Sequence, residues 1–195
     1  MKAIMKIRLI RWIIGIMLLF LSASVTGQKA VLGFTGNVGS NLTSDTVSYF
    51  HFLKGIQYDA DAEYDSAIKE FDQAIKLDMN FAEAYDRRGV VYTKLIKYRK
   101  ALRDFNKAIE LRTNYRDAYS HRGIVNYCLR EFENAIADYN RALDIDPKYA
   151  EAYYNRGIAK LLLDDETGAI TDIKIASEMN IKEATEYFKT VKLVN

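Results

Sequence analysis

The sequence predicts an all-α fold: a right-handed α-solenoid of about four 34-residue helix-turn-helix units with a C-terminal capping helix. Glycine recurs at a fixed interval of 34 residues, at Gly55, Gly89, Gly123 and Gly157. Two alanine columns keep the same interval, at Ala67, Ala101, Ala135 and Ala169 and at Ala74, Ala108, Ala142 and Ala176. A single proline favours long helices, because proline removes a backbone donor and kinks helix interiors. A period of this length is typical of stacked helix pairs.

The N-terminal segment, residues 1–27, has the three-part form of a secretory signal peptide. Four cations and no acid precede an uncharged apolar run over 12–21, and small, weakly polar residues follow. We expect cleavage before Gln28, with Ala23 or Ser24 marking an earlier cut as the alternative. An uncleaved anchor is the rival interpretation, although the apolar run is shorter than the ~20 residues that span a bilayer. A leader of this kind predicts secretion across an inner membrane, to the periplasm or cell envelope.

Residues 28–47 are rich in Gly, Ser, Thr and Asn and show no helical periodicity, so the sequence predicts a flexible linker there. The remaining chain divides by the repeat register into four units and a cap. The predicted boundaries are 48–81, 82–115, 116–149, 150–183 and 184–195.

Each unit is predicted to hold two amphipathic helices, because apolar residues recur at helical spacing in both of its halves. Glycine and alanine recur where the helices cross closely, since only a small side chain lets two backbones approach. Residues 184–195 place Ala184, Tyr187, Phe188 and Val191 on one stripe. Such a stripe is typical of the helix that covers the last apolar face of a solenoid.

Composition and charge disfavour several function classes. Removal of the four leader cations takes the formal charge from +2 to −2, and without a basic stripe no nucleic-acid partner is expected. His51 and His121 fall at different places in their units, so we expect no metal site, no cofactor and no catalytic base. Cys128 is the single cysteine, which excludes an intrachain disulfide, and we expect a buried or half-buried thiol without reactivity.

A six-column pattern carries a resemblance to a known family. Within the second unit the columns read Tyr85, Gly89, Tyr92, Ala101, Phe105 and Ala108. In this order they resemble the tetratricopeptide repeat, and the resemblance covers residues 48 to about 183. The closing proline of the family pattern is present only as Pro147, and the fourth unit departs most, with Lys160, Glu166 and Ile173 in aromatic columns. The resemblance implies a non-catalytic module that binds another protein.

The resemblance also implies where a partner would bind, namely a concave groove lined by the first helix of each unit. The positions that match the family's groove places are Tyr49, Phe52, Ile56, Asp59, Glu83, Asp86, Val90, Lys94, Asp117, Ser120, Ile124, Tyr127, Glu151, Tyr154, Ile158 and Leu161. The set has an acidic edge and an apolar middle, so the expected partner is an apolar protein segment, which basic flanks would suit. The Lys, Asn or Arg residues with which family members clamp a peptide carboxylate are absent. Helix-to-helix packing is the alternative role for Ile56, Val90, Ile124 and Ile158.

A charged pattern repeats in register with the glycines. A basic residue precedes each glycine, and an acid follows that basic residue sixteen positions later. The predicted ion pairs, within a unit or between neighbours, are Lys54 with Glu70, Arg88 with Asp104, Arg122 with Asp138 and Arg156 with Asp172. Pairs of this kind fix the orientation of helices more than they add net stability.

Three functions from different classes compete. The first is a non-catalytic scaffold or adaptor outside the cytoplasm, which holds a partner segment in its groove and helps to assemble an envelope or secretion complex. The second is a membrane-anchored structural protein that self-associates through its terminal repeat faces. Contact with a membrane is expected only through an uncleaved leader. An enzyme is the third and least favoured, because no catalytic constellation is present.

Overall fold

The computed structural model describes the backbone of residues 43–192 and the side chains of residues 43–187. The predicted signal peptide and residues 28–42 of the predicted linker lie outside this part. The described residues form nine helices: α1 Ser44–Ala60, α2 Tyr64–Leu77, α3 Ala82–Lys94, α4 Tyr98–Leu111, α5 Arg116–Cys128, α6 Phe132–Ile145, α7 Ala150–Leu161, α8 Glu166–Glu178 and α9 Lys182–Lys192.

The helices pair and stack in chain order, as a solenoid requires. The pairs α1/α2, α3/α4, α5/α6 and α7/α8 form four hairpins, and the second helix of each hairpin contacts the first helix of the next. The apolar core is a series of local clusters along the array, each built from neighbouring units. This organisation confirms the predicted all-α solenoid of helix-turn-helix units.

Each repeated glycine lies against the large residue sixteen positions later. A Cβ atom on Gly55 would lie 2.6 Å from Phe71, and the corresponding distance at Gly89 to Phe105 is also 2.6 Å. At Gly123 the neighbour is Tyr139, at 2.8 Å. Real Cβ atoms do not approach other atoms so closely, so the glycine column is required by helix packing. The cost of about 1 kcal/mol that an interior glycine adds to helix formation is offset by this contact.

The turn inside each hairpin has the same geometry in all four units. The residues at its centre have positive φ, namely Ala62 at 60°, Ile96 at 58°, Arg130 at 64° and Asp164 at 58°. The two amide groups that follow each first helix donate back to its last turn, as from Ile96 to Thr93 O and from Lys97 to Tyr92 O. This pattern is a Schellman motif, a helix ending at which glycine is the preferred residue. None of the four turns uses one.

Helix α1 begins at Ser44, so the prediction of a linker is wrong for residues 44–47. Thr43 caps the helix, because its side chain accepts a hydrogen bond from the Thr46 amide at 3.4 Å. Asp45 lies in the first turn, where a negative charge is favourable. Ser48, one turn further, is buried and donates to Ala74 O at 2.9 Å. The capping threonine and the buried serine explain why the helix includes a polar stretch without apolar periodicity.

The last helix, α9, begins at Lys182, two residues before the predicted start of the cap. Its Ala184 is fully buried against Ile173 and Ala176 of α8, and Tyr187 packs on the same cluster. Ile173 replaces the aromatic residue of the other units and still contacts the glycine column, since its Cγ1 would lie 2.7 Å from a Cβ on Gly157. Within residues 43–192, no helix has the length and apolar character needed to cross a membrane.

Candidate partner-binding surface

The first helices of the four units, α1, α3, α5 and α7, contact one another in succession and present a continuous row of side chains. We define the first-helix surface as the apolar members of the predicted groove that retain exposure. They are Tyr49, Ile56, Val90, Ile124, Tyr127, Tyr154, Ile158 and Leu161. The first unit carries the most exposed of them, with Tyr49 at 40% and Ile56 at 38%.

The remaining members of the first-helix surface are half-buried and also pack between helices. Val90 packs against the cluster that contains Phe105 and Val125. Ile124 and Tyr127 contact the cluster around Tyr139. Tyr154, Ile158 and Leu161 pack against the same α8 and α9 residues that the cap covers. Helix-to-helix packing is therefore part of their role, whereas Ile56 is the isoleucine of the column that remains exposed.

Three predicted groove residues do not reach the surface. Phe52 is buried between the rings of Phe71, at 5.9 Å, and Phe81, at 4.8 Å. Ser120 is buried beside the Tyr149 side chain. Asp86 is fully buried. These places lie where a first helix meets the next unit, so a side chain of moderate size is covered by its neighbour.

Asp86 belongs to a polar cluster that the sequence alone did not predict. Its carboxylate lies 2.8 Å from Nδ1 of His121 and accepts a hydrogen bond from the Tyr115 hydroxyl at 3.3 Å. Burial raises the pKa of Tyr115, and the Asp86 carboxylate raises it further. The cluster joins α3 to α5 across neighbouring units. The 35-residue separation of Asp86 and His121, one more than the repeat, was the available signal.

The acidic edge predicted for the groove is largely neutralised by the chain's own cations. Asp59 pairs with Lys94 at 2.6 Å, so two predicted groove residues bind each other. Glu83 pairs with Arg112, and Asp117 pairs with Arg116 at 2.6 Å. Among the described residues, Glu151 is the exposed groove acid that forms no ion pair. The exposed apolar side chains therefore make up more of this surface than acids without an ion pair do.

The four basic residues that precede the glycines lie beside the acids sixteen positions later. The closest nitrogen-to-oxygen distances are 3.6 Å for Lys54 and Glu70, 2.7 Å for Arg88 and Asp104, 2.5 Å for Arg122 and Asp138, and 2.6 Å for Arg156 and Asp172. The acids of the last three pairs are buried. Glu70 also accepts a contact from His51 Nδ1 at 2.6 Å. Each pair joins the two helices of one unit.

Each arginine of this row also reaches back to the previous unit. Arg88 donates through Nη1 to Asp72 at 2.5 Å, Arg122 to Asn106 at 2.7 Å and Arg156 to Asn140 at 2.6 Å. The arginines therefore connect three helices and two units. The column Asp72, Asn106 and Asn140 keeps the 34-residue interval and lies sixteen residues before each arginine, which is the sequence signal for this second row of contacts.

The buried acids differ in the direction of their pKa shifts. Burial raises the pKa of Asp104 and of Asp138, although Arg88 and Arg122 oppose the effect. Burial alone would also raise the pKa of Asp172, but hydrogen bonds from Arg156 and Lys160 hold it below the usual value. The Lys160 ammonium lies 2.8 Å from this carboxylate. Arg156 and Lys160 together outweigh the effect of burial on the pKa of Asp172, which gives a physical role to the lysine that replaces an aromatic residue.

Cys128 is exposed, so the expectation of a buried or half-buried thiol is wrong. Cys128 is the last residue of α5, and its side chain lies near that of Tyr98 at the start of α4. The exposure follows from its position at a helix end, beyond the contacts of the next unit. No group of three His, Cys, Asp or Glu side chains suited to hold a metal ion occurs in residues 43–187.

Comparison with known proteins supports the repeat architecture. A tetratricopeptide repeat model matches residues 82–115, and a TPR repeat model matches residues 131–164. None of the curated proteins matches the chain. The crystal structure of MamA is similar, with a TM-score of 0.65 and 28% identity, and covers 71% of this chain and 81% of that one.

Two further solved structures are similar over a smaller share of the chain. The first TPR domain of Spaghetti (RPAP3), bound to the HSP90 peptide SRMEEVD, has a TM-score of 0.60 and 28% identity. The similarity covers 62% of this chain and 95% of that domain. The Arabidopsis OM64 TPR domain has a TM-score of 0.57 and 24% identity over 63% of this chain and 98% of that domain, which shows the fold alone.

The stacked hairpins, the glycine register and these matches together define an α-solenoid of helix-turn-helix repeats. Tetratricopeptide repeat models match α3 and α4 at 82–115 and α6 and α7 at 131–164, and the stacked helices of the remaining units keep the same 34-residue interval. Proteins built from this repeat generally act as non-catalytic scaffolds for protein interaction.

Proposed function

We propose that the protein is a non-catalytic adaptor that holds an apolar segment of a partner protein on its first-helix surface. The observation that carries the proposal is the exposed pair Tyr49 and Ile56, which begins an apolar stripe continued at equivalent places of the later units. Partly exposed aromatic and aliphatic side chains in a concave row suit an extended or helical peptide. The repeats and the peptide-bound solved domain support a role in peptide binding.

The chemistry of the surface favours an apolar peptide over a carboxylate-terminated one. The domain of similar fold is bound to an acidic HSP90 peptide. In this chain the fifth and ninth places of the first helices hold Phe52 and Ile56 in the first unit and Tyr154 and Ile158 in the last. None of these side chains carries the positive charge that a carboxylate requires. Because most of the acidic edge is internally paired, basic flanks on the partner would find Glu151 and few other acids.

The proposed location is outside the cytoplasm, in the periplasm or cell envelope, where the adaptor would help to assemble an envelope or secretion complex. The support is the tripartite leader over residues 1–27, read from the sequence. Expression of the full chain in its native cell, followed by fractionation and mass measurement of the N-terminus, tests this location. A mature N-terminus at Gln28 in the envelope fraction agrees with it, and an intact Met1 in the cytoplasmic fraction contradicts it.

Serine substitution of the exposed pair tests the adaptor function. We expect Tyr49→Ser combined with Ile56→Ser to lower co-purification of the native partner about tenfold, a loss of about 1.4 kcal/mol. Leu77 and Ile170 are exposed to the same extent, 38% and 40%, but lie on the second helices α2 and α8. Leu77→Ser combined with Ile170→Ser is therefore the matched control. Equal loss in both double variants would contradict binding at the first-helix surface.

A further inference from the structure

The turn between α3 and α4 shares the backbone geometry of the other hairpin turns but differs from them in the residue at its tip and in its charge. We name residues 94–100 the cationic turn and the equivalent residues 60–66 of the first unit the acidic turn. Ile96 at the tip of the cationic turn has a φ of 58° and is 72% exposed. A β-branched residue at positive φ is strained, and an apolar side chain that is exposed to water contributes no hydrophobic stabilisation. Strain of this kind is characteristic of functional sites.

The charges of the cationic turn also oppose the helix that follows. Lys97 immediately precedes α4, and Arg99 and Lys100 lie in its first turn, which contains no acid. The other second helices begin with an acid in the first turn, namely Asp65, Glu133 and Glu166. Cations near a helix N-terminus are unfavourable because the helix dipole is positive there. The second unit thus gives up stability at the same turn where it exposes isoleucine.

The charges on the two turns are opposite, and six exposed charged residues on them are not neutralised by ion pairs inside the described part of the molecule. Lys97, Arg99 and Lys100 face solvent on the cationic turn, and Asp61, Glu63 and Asp65 face solvent on the acidic turn. Within the part of the chain that the structure describes, none of these six residues forms an ion pair. Lys94 and Asp59, which flank the two turns, form an ion pair between the two hairpins. Asp61 accepts a hydrogen bond from Gln57, Glu63 accepts one from Ser66, and the Lys100 ammonium lies 5.3 Å from the centre of the Tyr92 ring, so these charges have neutral partners only. Three cations and three acids therefore remain without an opposite charge on neighbouring turns.

The two turns are adjacent, and a hollow lies beside the acidic one. The Lys94 ammonium lies 5.7 Å from the centre of the Tyr64 ring, which places the end of α3 against the start of α2. An open hollow of about 340 Å³ is lined by Ala62, Glu63, Tyr64, Asp65, Ser66 and Leu95. This volume accommodates an isoleucine side chain. The edge therefore carries an exposed apolar projection next to a recess bordered by acids.

We propose that this edge is an interface between two copies of the chain, related by a twofold axis that passes between the two turns. Such an axis places the acidic turn of each copy on the cationic turn of the other, so one surface is complementary to itself. Ile96 of the partner subunit then faces the hollow beside Ala62, and Glu63 and Asp65 face the partner's Lys97 and Arg99. The third turn is a poorer match for the cationic turn, because Arg130 offsets Glu131 and Glu133 there.

Two complementary charge-reversal variants of the full chain test the proposed interface between two copies. The variant Lys97→Glu with Arg99→Glu makes both turns acidic, and the variant Glu63→Lys with Asp65→Lys makes both turns basic. Sedimentation of the wild-type protein at low salt is expected to show a mass that rises with concentration. Each variant alone is expected to remain monomeric, because both of its contacts repel. An equimolar mixture of the two is expected to associate, because both contacts then attract.

Two matched variants separate the interface from folding and from general charge effects. Glu131→Lys with Glu133→Lys reverses the equivalent positions of the third unit, where Glu131 makes no side-chain cap, and is expected to associate as the wild type does. Ile96→Gly removes the projection and relieves the positive φ, so it is expected to weaken association while its melting temperature rises. Raised salt is expected to weaken association of the wild-type protein, since exposed charges are screened over about 10 Å at 0.1 M.

The proposal is overturned if the wild-type protein stays monomeric at low salt, or if the mixture of the two reversed variants does. It is also overturned if each reversed variant alone associates like the wild type, as stacking through terminal repeat faces would require. Binding of the monomeric wild type, but not of the Lys97→Glu, Arg99→Glu variant, to phosphatidylserine vesicles would assign the cationic turn to an anionic membrane instead. Both turns lie outside the first-helix surface, so failure here leaves the adaptor function standing.

Discussion

At the scale of the residue, the array depends on a few side chains whose environment decides their effect. The glycine column permits close helix crossing, and the aromatic residues sixteen positions later fill the space beside it. The buried acids of the arginine row have the same chemistry but different neighbours, and the balance between burial and nearby cations sets the direction of their pKa shifts. Both effects lead to measurable predictions.

Gly89→Ala is expected to destabilise the protein, although alanine is the better helix former. The added methyl group would lie 2.6 Å from Cε1 of Phe105, and overpacking of this kind costs about 2 kcal/mol. The free energy of unfolding from urea titration measures the loss. Phe105→Leu in the same chain should recover part of it by making room. A Gly89→Ala variant as stable as the wild type would show that the glycine is not required by packing.

Asp172→Asn and Asp138→Asn are expected to respond to acid in opposite directions. The pKa of Asp172 is depressed, so its charge stabilises the fold above the unfolded value of about 3.9, and this contribution is lost as pH falls through the folded pKa. The free energy of unfolding of the wild type should therefore exceed that of Asp172→Asn by less as the pH is lowered.

The pKa of Asp138 is raised, so its ionised form is disfavoured by folding. The free energy of unfolding of the wild type should therefore rise relative to that of Asp138→Asn as pH falls through that raised pKa toward about 3.9. Urea titrations at a series of pH values measure both differences. Parallel pH profiles for the two variants would contradict the role assigned to Lys160 as the second cation.

At the scale of the element, helix ends carry most of what the sequence analysis missed. The hydrophobic period located the helices, but α1 begins four residues before the predicted unit because Thr43 caps a polar turn. The hairpin turns could not be predicted as Schellman motifs, since none contains the glycine that usually marks them. The hydrogen bonds that Asp86 forms with His121 and Tyr115 also could not be predicted, because the repeat interval does not show which side chains of neighbouring units lie close together.

Ile96→Gly is expected to stabilise the monomer by up to about 1 kcal/mol, because the roughly 1–2 kcal/mol that positive φ costs an L-residue exceeds the loss of up to about 1 kcal/mol from greater freedom of the unfolded chain. Thermal unfolding at a protein concentration that keeps the chain monomeric measures the gain. Met79 is equally exposed, at 72%, and does not have positive φ. Met79→Gly should lose up to about 1 kcal/mol through greater freedom of the unfolded chain. A loss at both sites would contradict strain at Ile96.

At the scale of the whole molecule, the fold could be predicted from the sequence, whereas the first-helix surface could be predicted only in part. The 34-residue interval is visible in the sequence because the two helices of every unit pack through small residues at the same places. The structure confirms the solenoid that this interval predicts. The groove assignment came from a resemblance that fixes places on a helix. It could not show that Phe52, Asp86 and Ser120 are covered by the next unit, or that Asp59 is neutralised by Lys94.

Truncation after Ile181 is expected to loosen the end of the array and leave its middle intact. Loss of α9 exposes Ile173 and Ala176, which Ala184 covers, and repeat arrays respond mainly through nearest neighbours. Hydrogen exchange should therefore accelerate in α7 and α8. Exchange in α3 and α4 of the same sample should change little and serves as the internal control. Uniform acceleration in all hairpins would indicate global cooperativity in place of local coupling.

Site-specific photo-crosslinking in the native cell tests the central claim of partner binding most directly. A crosslinking residue replaces Ile56 on the first-helix surface or, as the matched control, Ile170 on α8. The account predicts that position 56 captures one dominant partner segment of apolar character and that position 170 does not. Equal capture from both positions, or no dominant product from position 56, would contradict an adaptor that binds through its first helices.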